Sequence, residues 1–157
     1  KNNFTKDSKI YLFLKKNVNM KETIDLPTHF ENEFISIKWL SGKNYIEEIW
    51  KDFGSDEKIK LAKNKFVEMI NSAKISAYLS DVKGFKGASP ETQRWVRDVW
   101  FPQIYSAGIR TIAIIVTEDV FANFSVNTAI SGDYAKKMEV QKFTTTEEAE
   151  KWFKEVS

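Results

Sequence analysis

The amino-acid sequence predicts an α/β fold: a single domain with a mixed sheet of four to five strands, an N-terminal hairpin, parallel crossover strands and helices packed mainly on one side. Three observations carry this prediction. Residues 75–116 read as a complete strand, helix, strand unit; residues 34–53 read as a hairpin; and apolar residues recur at helical spacing over 59–73 and 149–156.

In the first of these, Ile75–Ser80 alternates, with Ile75, Ala77 and Leu79 on one face, and Thr111–Val116 is an almost unbroken apolar run of the kind found in strands covered on both faces. Between them, Ser89, Pro90 and Glu91 make a helix start: serine caps free N–H groups, proline fits the first turn and glutamate suits the positive end of the dipole. Gly108 is a natural stop. Pro102, inside this helix, is expected to kink it and free the carbonyl of Asp98. A connection of about thirty residues between two such strands suits a right-handed parallel crossover.

The other elements follow the same logic. Phe34–Leu40 and Tyr45–Phe53 are strand-like, and Ser41, Gly42, Lys43 and Asn44 form the turn between them. Ser55 is the expected cap of a helix whose stripe is Ile59, Ala62, Phe66, Met69, Ile70 and Ala73. Residues 119–130 read as a short or broken helix, because Asn123, Ser125, Asn127 and Thr128 weaken the signal of Val120, Phe121 and Phe124. Met138–Phe143 is a short strand. Thr145 with Glu148 then forms a capping box for a last helix with the stripe Ala149, Trp152, Phe153 and Val156.

Composition bounds the function. A chain of 157 residues that is 42% hydrophobic can fill one core. Absence of cysteine excludes disulfides, thiolate metal sites and cysteine nucleophiles, and makes the cytoplasm the expected compartment. The single histidine, His29, is expected to be an ordinary polar residue of an entry loop beside Pro27. Residues 1–21 carry six lysines and one aspartate, whereas residues 22–157 carry 18 basic and 21 acidic side chains. Residues 1–27 therefore read as a basic arm or edge extension, and 28–157 as the domain. A mildly acidic domain argues against nucleic acid as a partner. The apolar Ile10–Leu14 is far short of the roughly 20 residues that span a membrane, and reads as an edge strand or part of the arm. The chain starts at Lys1, and Met20 is an alternative natural start.

Three features could carry chemistry. The loop with Lys83, Gly84, Lys86, Gly87 and Ser89 precedes a helix N-terminus at the carboxyl end of a strand, where open sheets bind ligands and free N–H groups attract anions. Its spacing matches neither phosphate-loop nor dinucleotide fingerprints, so solvated crossover lysines are the plainer reading. Asp81, Glu118 and Asp119 fall at neighbouring strand ends and could hold a cation, although helix capping explains the last two more simply. Finally, Trp95, Trp100, Phe101 and Tyr105 share one helix and cannot all point the same way. Core packing accounts for most of them; an apolar ligand pocket or a homodimer face would use the rest.

The stretch from Ser80 through Val126, with Trp100-Phe101-Pro102, Gly108 before the apolar strand and Glu118-Asp119-Val120-Phe121 after it, resembles the SpoIIAA-like small domains grouped with STAS domains and, more distantly, CRAL-TRIO lipid-binding folds. The likeness covers about residues 30–156. It implies a non-enzymatic domain; no cofactor and no metal are expected. STAS antagonists of anti-sigma factors carry a phosphorylatable serine in a D-x(7)-D-S-S/T-G pattern. Placed from Asp81, that pattern sets Ser89 at the second acidic position and Pro90 and Glu91 opposite the two hydroxyl residues, so the phosphoserine switch is missing. The expected function is thus a STAS-like interaction module acting through a protein partner or self-association. The alternative is a domain binding a small apolar, lipid or anionic ligand through Lys83, Lys86, Ser89, Trp95, Trp100 and Tyr105.

Overall fold

Strand propensity and helical periodicity resolve into one mixed sheet of six strands in sequential order, β1 His29–Glu31, β2 Ile35–Trp39, β3 Tyr45–Trp50, β4 Ala77–Asp81, β5 Thr111–Ile115 and β6 Glu139–Phe143. The computed structural model describes residues 29–39, 42–52, 54–117 and 120–156. The basic arm with Ile10–Leu14, and the carboxylates Glu118 and Asp119, lie outside them. β1, β2 and β3 are antiparallel, and β3, β4, β5 and β6 are mutually parallel. The expected hairpin and parallel strands are present, with one strand more than the four to five expected. The addition is β1, which corrects the entry-loop reading of His29: it pairs with Lys38, and its Nε2 lies 3.0 Å from the Glu31 carboxylate at the exposed sheet edge.

Alternation along the strands splits the core. Ile46, Trp50, Tyr78, Ile112 and Ile114 face the main core, while Tyr45, Ala77, Leu79, Ala113 and Ile115 face a smaller one. The smaller face is closed by the terminal helix (Thr146–Val156) through Ala149 and Phe153. Its capping box forms as expected: Glu148 N–H donates to Thr145 Oγ1 and Thr145 N–H to Glu148 Oε2. The main face carries α1 (Asp56–Ser72), α2 (Pro90–Trp95), α3 (Phe101–Ser106) and α4 (Val120–Ala129), so the terminal helix is α5. No described helix is long and apolar enough to cross a membrane.

Several local expectations need correction. Ser55 stands at the N-cap of α1 with extended backbone, but its hydroxyl makes no capping bond. Ile75 precedes β4 and belongs to the main core, not to the face of Ala77 and Leu79. Of the short or broken helix expected over 119–130, the short form is found: α4 runs unbroken for ten residues, because packing on α2 outweighs the weak propensity of its polar residues. Pro102 has no N–H to give, and the helix answers with a π segment, Val96–Trp100, joining α2 to α3; Phe101 N–H reaches back to the Val96 carbonyl. Gly108 ends the run at φ +115°, a conformation other residues avoid.

Candidate functional site

A buried ion pair sits where two neighbouring strands, β3 and β4, meet α1. Glu48 on β3 and Tyr78 and Ser80 on β4 point to the main core under α1 to α4, with Glu48 directly opposite Ser80 in the parallel register. α1 sends Lys63 onto the same spot, one turn beyond Ile59 and one before Phe66. Glu48 is 0% exposed and Lys63 7%. The Lys63 ammonium donates to both carboxylate oxygens of Glu48, at 2.8 and 2.9 Å, and to the Tyr78 hydroxyl at 3.2 Å. Glu48 Oε1 also accepts from Trp50 Nε1 at 2.8 Å, Tyr78 OH at 2.5 Å and Ser80 Oγ at 3.2 Å. The charges are therefore paired and bonded, the condition under which burial of ions is tolerated.

Aromatic rings enclose this pair. The ammonium lies 4.1 Å from the centroid of Trp100 and 5.4 Å from that of Trp50, a cation–π arrangement. Trp100 is held by its own indole N–H, which donates to the Lys63 carbonyl at 2.9 Å, and by edge contacts with Phe66 and Tyr78. Burial lowers the Lys63 pKa from its ordinary value, with Glu48 acting in the opposite sense. The Tyr78 phenol is pushed well above its ordinary value by burial, and the neighbouring Glu48 charge adds to the effect.

Beside the pair lies a cavity of about 80 Å³ between the carboxyl halves of β3, β4 and β5 and the inner side of α4. Trp50, Phe85, Val96, Trp100, Phe101, Ile112, Ile114 and Val126 supply apolar walls. Small residues on the inner side of α4, Ser125 and Ala129, leave the space open. The loop after β4 closes one end. A Cβ on Gly84 would stand 2.2 Å from the Trp50 carbonyl oxygen, so only glycine lets this loop approach β3 and seat Phe85 against Trp50, ring centroids 5.0 Å apart. Ser125 ties loop to helix: its hydroxyl accepts from Gln93 Nε2 at 3.2 Å and Ala88 N–H at 3.4 Å.

The expected site residues do not converge. Lys83 and Lys86 are exposed, and Lys83 turns back to Asp81, 3.3 Å from its carboxylate. Ser89 caps α2 as expected, accepting from Thr92 N–H at 3.1 Å, and donates to Asp56 at 2.7 Å. That bond holds the Asp56 carboxyl below its usual range. Trp95 is half-buried beside Lys60, Trp100 lines the cavity, and Tyr105 lies apart in a surface cluster with Arg110 and Tyr134. Among the described residues no group of three acidic, histidine or cysteine side chains could hold a metal ion.

No protein-family model matches the chain, and no curated protein matches it significantly. It is similar to the crystal structure of an uncharacterized DUF3478-family protein with a SpoIIAA-like fold from Shewanella loihica PV-4, with a TM-score of 0.50, 16% identity, and coverage of 78% of this chain and 97% of that one. The fold is SpoIIAA-like.

Within this SpoIIAA-like sheet the buried pair and cavity occupy the side covered by α1 to α4, at the carboxyl ends of parallel strands where open sheets take ligands. Sequence reasoning missed the pair, although its signal is present. Lys63 falls on the apolar stripe of α1, four residues after Ile59 and three before Phe66, and Glu48 alternates inward with Ile46 and Trp50. Two opposite charges on inward positions of packed elements mark a buried pair.

Proposed function

We propose that this domain is a non-enzymatic binding module that takes a small, mainly apolar molecule in the cavity between α4 and the sheet. The observation carrying this reading is the aromatic-lined 80 Å³ space at the carboxyl ends of β3, β4 and β5. It is about half the volume of an engineered 150 Å³ cavity that binds benzene, so a molecule of roughly three to five heavy atoms fits without displacement of α4. A long acyl chain does not fit. The pairing of Lys63 and Glu48 supports the non-enzymatic reading, because the ammonium and carboxylate beside the cavity are spent on each other.

A titration of the purified chain with small alcohols and ketones, read by tryptophan fluorescence, tests this. Trp50 and Trp100 both line the cavity, so saturable quenching or enhancement is expected. Ala129→Leu fills the same space and should remove the response while leaving the protein folded. An unchanged response in that variant would place the binding elsewhere.

A second reading, the interaction module acting through a partner or self-association, is favoured by one observation. Phe124 is 66% exposed on α4, the helix that covers the cavity. Native mass spectrometry separates the two, since a retained small molecule supports the cavity reading and a discrete oligomer supports interaction.

A further inference from the structure

We propose that the cavity selects neutral molecules and rejects carboxylates, because Glu48 already occupies the anion position that Lys63, Tyr78, Ser80 and Trp50 build. This inference rests on the cavity being a ligand site and specifies what that site admits.

The donors around Glu48 are all engaged. An ammonium has three protons. Those of Lys63 go to Glu48 Oε1, Glu48 Oε2 and the Tyr78 hydroxyl. The phenol proton of Tyr78, the hydroxyl proton of Ser80 and the indole N–H of Trp50 all go to Glu48 Oε1. The indole N–H of Trp100 goes to the Lys63 carbonyl. On the opposite wall, Gln93 Nε2 donates to the Ala88 carbonyl at 2.7 Å and to Ser125.

An incoming carboxylate therefore meets a charge-neutral pair whose donors are all engaged and, on the opposite wall, the single neutral hydroxyl of Ser125, which accepts from Gln93 and Ala88 and has one proton to give. It must leave its hydration shell and either rest on that one neutral donor among apolar rings, which leaves its charge uncompensated, or expel Glu48 from a five-bond site made by the same chain. A neutral molecule of the same shape pays neither penalty and gains apolar contact. The resident glutamate acts as a built-in competitor, turning what would be an anion-binding pocket into one for uncharged ligands.

The test compares isosteres on the full chain by two-dimensional NMR, following the backbone amides of Ala88, Ile112, Ile114 and Ser125. 2-Butanone has the shape of propionate with one oxygen replaced by methyl. 2-Butanone is expected to shift these amides saturably in the millimolar range, and propionate at least tenfold more weakly; decanoate, a long-chain carboxylate, should leave them unmoved. Ala129→Leu should abolish the 2-butanone response. Propionate binding as well as or better than 2-butanone would overturn the selectivity while leaving the cavity a ligand site. Saturable decanoate binding at these amides would overturn both the size limit and the rejection of carboxylates. No cavity shift with any of the three would overturn the ligand site and this inference together.

Discussion

Replacing Lys63 with methionine keeps most of the stem volume and withdraws the ammonium from Glu48, which is fully buried. Removing one partner of a buried pair costs about 3–5 kcal/mol, because the other charge is left uncompensated. Here Trp50, Tyr78 and Ser80 still donate to Glu48, which places the cost at the lower end, about 3 kcal/mol. Glu48→Gln strands the ammonium instead and should cost a similar amount. The double variant carries no buried charge, so its loss should be smaller than the sum of the singles and within about 2 kcal/mol of the original chain. Domains of this kind are stable by about 5–15 kcal/mol, so the single variants should still fold. Urea unfolding followed by tryptophan fluorescence measures all four proteins. Single losses below about 1 kcal/mol, or strictly additive losses in the double variant, would refute a buried, mutually satisfied pair.

The same cluster and its surroundings give further expectations. Glu48→Ala opens a ready-made anion site, so formate should raise its melting temperature far more than it raises that of the parent chain; equal shifts in both would contradict a preformed site. Burial raises the Tyr78 phenol above its ordinary 10.0, so the unfolded chain loses this proton near pH 10 while the folded chain keeps it, and the stabilisation is lost as pH rises further. The lowered Lys63 pKa works in the opposite direction only up to its unfolded value of 10.5, above which Tyr78 dominates the two. Phenolate absorbance of one tyrosine should accordingly appear together with alkaline unfolding, and its reversible titration in folded protein would contradict the burial. Ser89→Ala removes a cap and the bond to Asp56, costing about 1 kcal/mol in a denaturant titration; a loss of less than a few tenths would show that the cap contributes little. Gly84→Ala should be more severe, since the loop cannot keep its approach to Trp50, and stability equal to the parent chain would contradict that contact.

Much of the architecture was legible because each element carries its own local signal. The apolar run at Thr111–Ile115, the Ser89-Pro90 helix start, the stripe of α1 and the Thr145–Glu148 box each need only a few neighbouring residues to be read, and each appears in the structure. β1 was missed because a three-residue edge strand has no periodicity of its own and is defined by its pairing with β2. Whether α4 is short or broken could not be read locally, because its stability comes from packing on α2 rather than from propensity. The candidate site was harder still. The conspicuous lysines of the loop, Lys83 and Lys86, are exposed, while the residues that meet, Glu48, Lys63 and Tyr78, lie 15 and 30 positions apart and look unremarkable singly. Of the rings singled out, Trp100 and Phe101, at the end of the π segment and just after it, line the cavity.

The central claim, a ligand-accepting cavity under α4, is tested most directly by methyl NMR under xenon pressure. Xenon is small, neutral and polarisable, and it enters apolar cavities of this kind. Saturable shifts are expected, confined to the methyl groups of Ile112, Ile114 and Val126, all of which line the space, and they should be lost in Ala129→Leu. Unmoved methyl groups at these three residues, or shifts spread evenly over the surface, would contradict it.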